Sequence, residues 1–204
     1  MCRTGGRWES TSAPEMLRRI AGLSAALAER GVGPGDRVAI FAPNCPEWHV
    51  ADFAVLGLGA VVVPIYFRES PERIEYIVGH AGAKAIFVAG EEQCARLAQV
   101  RSRLTSIEHV VAAGDIAGTV TAAGDMLPYE KFIASAGDAQ LAAYRSRAAT
   151  LRADQLSSII YTSGTTGEPK GVMLSHANFV SNEMASFEGL PYGPEDVALS
   201  FLPL

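Results

Sequence analysis

The stretch Ile159-Ile160-Tyr161-Thr162-Ser163-Gly164-Thr165-Thr166-Gly167-Glu168-Pro169-Lys170-Gly171-Val172-Met173-Leu174-Ser175-His176 decides how this chain is read. Leu156 to Tyr161 is a short apolar run of strand length. It leads into a loop of hydroxyls, glycines and one lysine, and a helix is expected from about Ser175. Gly164, Gly167 and Gly171 allow close approach of the backbone to a ligand and positive φ. Successive backbone N–H groups in such a loop form an anion-binding concavity. Ser163, Thr165 and Thr166 add hydroxyl donors, and Lys170 adds a mobile positive charge. That inventory suits a polyphosphate, and the ordered combination argues against a plain flexible connector. A Walker A loop is excluded, because it ends in Gly-Lys-Ser/Thr, whereas Lys170 here lies between Pro169 and Gly171. The dinucleotide fingerprint fails as well: Gly31-Val32-Gly33 lacks the third glycine, and Gly57-Leu58-Gly59 precedes a strand rather than a helix.

Upstream, strands and helices alternate. Ser12-Ala13-Pro14-Glu15 is a capping-box pattern with an early proline. Leu17, Ile20, Leu23, Leu27 and Ala28 then recur at helical spacing, and Gly31 ends the helix. After a turn at Gly33-Pro34-Gly35-Asp36, Arg37 to Ala42 reads as a buried strand. A helix over 46–58 and a strand over 61–65 follow. Ser70-Pro71 opens another helix with Ile74, Ile77 and Val78 on one face. Residues 85–88 read as a strand, 91–104 as a helix, and Val110-Val111 as a strand. Residues 114–126 form a small-residue loop, Tyr129 to Ala136 a short helix, and 137–154 an Ala-rich stretch of open assignment. Val197 to Phe201 begins one more strand. The alternation predicts an α/β fold, a mostly parallel sheet covered by helices on both faces. The expected division is 1–113 as a first α/β portion, 114–154 as a loop-rich connector and 155–204 as the portion carrying the loop.

Composition narrows the function classes. The 204 residues are 49% hydrophobic and 19% charged, which excludes a disordered or fibrous chain. Seventeen basic against 22 acidic residues give a net charge of −5, which argues against nucleic acid as a partner. The three cysteines (Cys2, Cys45, Cys94) show no CxxC spacing, which points to a reducing cytoplasm. Cys45 is expected to be a buried structural thiol. The uncharged run Phe53 to Phe67 is shorter than the roughly 20 residues of a bilayer span, so no transmembrane segment is expected, and peripheral membrane contact is left open. Trp48 and His49 are expected to pack on a helix face, His80 and His109 to lie at the surface, and His176 to follow a helix N-cap at Ser175.

The ordered run from Tyr161 to Gly171 resembles the AMP-binding signature of the adenylate-forming superfamily, which includes acyl-CoA synthetases, luciferases and peptide-synthetase adenylation domains. Leu56 to Ile65 is similar to a second core motif of that family. Trp8 to Leu17 resembles the first, with Ala13 where an aromatic is common, and Leu199 to Leu204 resembles the opening of the fourth. Pro64-Ile65-Tyr66, the Tyr76-Ile77 pair and Ser200 to Leu204 look most like bacterial long-chain fatty acyl-CoA synthetases. The resemblance implies part of the N-terminal domain of an AMP-forming fatty acid–CoA ligase with ATP, Mg²⁺ and CoA, and with a fatty acid as substrate. It implies that Thr162, Ser163, Gly164, Thr165, Thr166, Gly167, Lys170 and Gly171 contact the ATP phosphates. Thr165 would be a Mg²⁺ contact. The family's adenine-binding segment, ribose-binding Asp and C-terminal lysine have no counterpart in these 204 residues, so no catalytic residue is expected in them, nor turnover from them alone. The alternatives are activation of an aryl or amino acid, or a non-catalytic phosphate-binding or interaction module. An exposed apolar face and a homodimer are further expectations.

Overall fold

The computed structural model describes residues 2–4, 7–114, 126–134, 136–162, 169–190, 193, 195–198 and 200. Two short strands, β1 (Cys2–Thr4) and β2 (Arg7–Glu9), pair antiparallel as a separate ribbon. Three-residue strands are too short to show a period, so neither is legible in the sequence. Helix α1 (Ala13–Glu29) starts as expected: the Ser12 hydroxyl accepts from the Glu15 N–H at 3.3 Å, and a proline lies in the first turn. There follow β3 (Arg37–Phe41), α2 (Pro46–Leu56), β4 (Val61–Ile65), α3 (Pro71–Ala81), β5 (Ala85–Ala89), α4 (Glu91–Val100) and β6 (His109–Ala113). Then come β7 (Met126–Pro128), α5 (Tyr129–Ile133), α6 (Asp138–Ala148), β8 (Leu156–Thr162), β9 (Lys170–Ser175) and α7 (His176–Gly189).

Seven of these strands form one sheet in the order β7-β6-β5-β3-β4-β8-β9. All neighbours are parallel except β8 and β9. Parallel strands joined through helices are buried on both faces and therefore read as continuous apolar runs, as Val38-Ala39-Ile40-Phe41 does. Successive side chains point to opposite faces. Ile40, Val62 and Phe87 enter one apolar layer with Leu23 and Leu27 of α1, Val55 of α2 and Tyr129 of α5. Phe41, Val63 and Val88 enter the other with Ile74 and Val78 of α3 and Leu97 of α4. In α1, Gly22 faces α5 so closely that a Cβ there would meet the Phe132 carbonyl oxygen at 2.7 Å.

Several expectations need correction. The helix assigned to 91–104 ends at Val100 and tightens into a 3₁₀ turn over Arg101–Arg103. The Ala-rich stretch holds α6, which buries no residue and so lacks the apolar stripe that would reveal it. Helix α5 stops at Ile133. The segment before Ser175, read as loop, contains β9, which is masked in sequence by Lys170 and Gly171 and by its exposed apolar residues. Val197 and Ala198 are not in a strand, and Leu199 and Phe201 lie outside the described residues. Most of the 114–126 loop does so too. Helix α7 buries no residue, and with β9 it presents an exposed apolar row of Met173, Phe179, Val180, Met184, Phe187 and Leu190. Among the described residues no helix is long and apolar enough to cross a membrane.

Asp52 of α2 is half-buried near Tyr144 of α6, and burial pushes its carboxyl up to about 7. The folded state therefore holds this proton more tightly than the unfolded chain. The resulting contribution to stability is full below about pH 4 and is lost as pH rises through about 7. Asp52→Asn should raise the thermal midpoint at pH 8 by on the order of 5 °C and leave it nearly unchanged at pH 4. Equal midpoints for the two proteins at pH 8 would contradict the assignment.

Candidate functional site

Strand β8 enters the sheet beside β4, with Val62 opposite Ser158. Two serines in this apolar setting are satisfied by neighbouring strands. The Ser158 hydroxyl donates to the Val62 carbonyl at 3.1 Å, and that of Ser157 to the Leu174 carbonyl at 2.9 Å. Because β8 is parallel to β4, its last residue, Thr162, lies toward the carboxyl ends of the parallel strands, where open α/β sheets bind ligands. Strand β9 returns antiparallel, with Tyr161 opposite Gly171 and Thr162 opposite Lys170. Thr162 and Lys170 are both exposed. Lys170 makes no ion pair among the described residues.

The structure thus brings Thr162, Lys170 and Gly171 together at the loop end of a hairpin. Ser163, Gly164, Thr165, Thr166 and Gly167 lie outside the described residues. For Gly171 the geometry gives a reason that the sequence reading did not. A Cβ there would meet Ile159 Cγ2 at 2.8 Å and Tyr161 Cζ at 3.2 Å, so the missing side chain makes room for the Tyr161 ring on the neighbouring strand.

The residues missed by sequence reasoning lie on α3. Tyr76 donates from its hydroxyl to the Pro169 carbonyl at 3.1 Å. His80 Nδ1 and the Tyr161 hydroxyl share a hydrogen bond of 2.7 Å. The Tyr76 and His80 rings stack, with centroids 5.5 Å apart and planes at 18°, and both meet Tyr161 edge-on. Burial, and then the neighbouring Tyr76, raise the Tyr161 hydroxyl above the ordinary tyrosine range. The spacing of Tyr76 and His80, one helical turn apart, was the available signal.

The other candidates separate cleanly. Helix α7 opens with the expected cap: the Asn178 N–H donates to the Ser175 hydroxyl at 3.3 Å, and the Ser175 N–H donates to Asn178 Oδ1 at 2.9 Å. Trp48 is buried and meets His49 edge-on, consistent with packing. Cys45 is half-buried, and burial pushes its thiol up to about 12, so it is no thiolate nucleophile. His109 is not a surface residue. It is half-buried, with Nε2 3.0 Å from the Arg30 carbonyl oxygen, and so ties the end of α1 to β6. Among the described residues no three metal-ligating side chains converge.

Comparison with known proteins finds relatives in sequence and in structure. The chain is 35% identical over 175 residues to the long-chain-fatty-acid–CoA ligase FadD15 of Mycobacterium bovis, covering 86% of this chain and 28% of that protein. It is 32% identical over 182 residues to the peroxisomal long chain acyl-CoA synthetase 6 of Arabidopsis thaliana, covering 89% and 26%. The chain therefore spans little more than a quarter of these relatives. In structure it is similar to apo MatB from Rhodopseudomonas palustris, with a TM-score of 0.68, 25% identity and coverage of 96% of this chain and 35% of that one. The AMP-binding enzyme family matches residues 2–204. With its sheet order, its hairpin and this match over residues 2–204 together, the chain belongs to the AMP-binding enzyme family.

Proposed function

We propose that residues 162–171 hold the β- and γ-phosphates of ATP within an AMP-forming ligase that activates a long-chain fatty acid and passes it to CoA. The observation carrying this reading is the hairpin end itself. Thr162 and Lys170 face each other in register, exposed, toward the carboxyl ends of a parallel sheet. A carboxylate oxygen of the acid attacks the α-phosphorus, and pyrophosphate leaves as the acyl-adenylate forms. The CoA thiol then attacks the acyl carbon and AMP departs. In the first step negative charge accumulates on the pyrophosphate. Backbone N–H groups, hydroxyls and the Lys170 ammonium fixed beside it stabilise the transition state by preorganised electrostatics.

Mg²⁺ commonly keeps most of its ligands as water and substrate phosphate rather than taking a protein cage. Among the described residues the hairpin end offers the Thr162 hydroxyl and no cluster of metal-ligating side chains, which fits a metal arriving with ATP, and Thr165 is its proposed contact. A cytoplasmic location is part of the same proposal. So is self-association through the exposed row of β9 and α7.

The test is ATP–pyrophosphate exchange by the complete ligase containing this segment, over a panel of short, long and aromatic acids. Exchange should be greatest with long-chain fatty acids. Exchange confined to aryl or amino acids would overturn the fatty-acid reading, and none with any acid would overturn the ligase reading. The 204 residues alone should yield no CoA thioester.

A further inference from the structure

Helix α3 has no assigned part in handling ATP, yet two of its side chains reach both ends of the 163–168 segment. Tyr76 reaches the Pro169 carbonyl, just before Lys170, and His80 reaches the Tyr161 hydroxyl, just before Thr162. We propose that Tyr76 and His80 are positioning residues, a two-point clamp that sets the separation and orientation of the two stems of the phosphate loop. The inference rests on the phosphate-binding reading given above.

The geometry suits that role in three ways. First, the clamp stands on a rigid support. Ile74, Ile77 and Val78 of α3 are almost fully buried. The helix is capped at its start by the Ser70 hydroxyl and at its end by Gly82 in the left-handed conformation, φ 61°. A site is held accurately when its supports are locked by packing on regular elements. Second, the two clamp residues support one another, because their rings stack while Tyr76 also bonds the Pro169 carbonyl. Third, Tyr161 is held from two sides, by His80 and by the space left over Gly171. Holding Tyr161 and Pro169 in place beforehand reduces the ordering that a ligand meeting Thr162 and Lys170 must supply. Neither clamp residue need touch ATP. Each acts through the stem that it holds.

The experiment compares Tyr76→Phe, His80→Ala and the double variant with Lys170→Ala in the complete ligase. It reads kcat and KM for ATP and for the fatty acid, together with the thermal midpoint. Tyr76→Phe removes only a hydroxyl and keeps the ring, so it decides the matter if the double variant fails to fold. Tyr76→Phe should lower kcat/KM for ATP about fivefold, and the double variant about tenfold or more. The fatty-acid KM should be unchanged. Hydrogen exchange should quicken at the amides of 162–170 and stay unaltered in β3 and β5. Wild-type kinetics for ATP in all three clamp variants, alongside a damaged Lys170→Ala enzyme, would overturn the clamp and leave the phosphate reading intact. Wild-type kinetics in Lys170→Ala as well would overturn both. An equal loss for ATP and fatty acid, with faster exchange throughout the sheet, would reduce Tyr76 and His80 to ordinary packing and overturn the clamp.

Discussion

Replacing Lys170 with alanine in the complete ligase should lower acyl-adenylate formation by more than about tenfold. The side chain is exposed at the first residue of β9, opposite Thr162, and no carboxylate among the described residues neutralises it. Its removal should therefore cost little stability, within about 0.5 kcal/mol as for most surface substitutions. The loss should fall on catalysis. A hydrogen bond between an ammonium and a phosphate oxygen contributes about 1.5–3 kcal/mol, and more where charge grows during the reaction. Lys170→Arg keeps the charge but changes its reach and geometry, and should retain an intermediate rate. Pyrophosphate exchange measured at saturating ATP and fatty acid checks this. Unchanged acyl-AMP formation in the alanine variant would remove the lysine from the site.

The largest expected effect on stability is at Gly22. A glycine inside a helix ordinarily costs about 1 kcal/mol relative to alanine, so Gly→Ala in a helix is commonly stabilising. At Gly22 the sign reverses. A Cβ would sit 2.7 Å from the Phe132 carbonyl oxygen, 2.9 Å from Ala136 Cβ and 3.2 Å from Ile133 Cα. Two of these three are backbone atoms that no rotamer change can move. Gly22→Val should push α5 away from α1 and destabilise by about 2–3 kcal/mol, the usual cost of overpacking. Gly79 of α3 supplies the internal contrast: nothing lies within 4 Å of its Cβ position, so Gly79→Ala should stabilise by about 0.5–1 kcal/mol. Urea unfolding of Gly22→Val and Gly79→Ala settles the comparison, and a Gly22→Val protein as stable as the parent would show that the contact is not tight.

What could be read in the sequence follows from which interactions are local. Strands β3 to β6 were legible because burial on both faces leaves an apolar run with few alternatives. The helix starts at Ser12, Ser70 and Ser175 were legible because a cap lies within three residues of its partner. Strand β9 was not, because its apolar residues Val172 and Met173 are exposed and follow no period. Helix α6 was not, because alanines and arginines without a buried stripe give no pattern. At the candidate site, the order of residues nominated Thr162, Lys170 and Gly171, and the hairpin places them side by side. The Tyr76 and His80 contacts were not, since 93 and 81 residues separate the partners and only the parallel stacking of β5, β3, β4 and β8 brings them together.

The sheet order also sets a timetable for the chain as it is made. The four strands β3 to β6, with helices α1 to α4, are complete by Ala113; β3 and β4, and β5 and β6, are neighbours joined directly, while the connection from β4 to β5 passes over β3. At a synthesis rate of about 5–20 residues per second, that scaffold has seconds in which to collapse before β8 emerges. During this interval β4, with Val61, Val62 and Val63, stands as an open edge. Hairpin β8–β9 then closes it and carries residues 163–168 with it. The nascent chain thus builds the platform before its candidate phosphate loop, which arrives by the docking of one hairpin onto a waiting strand.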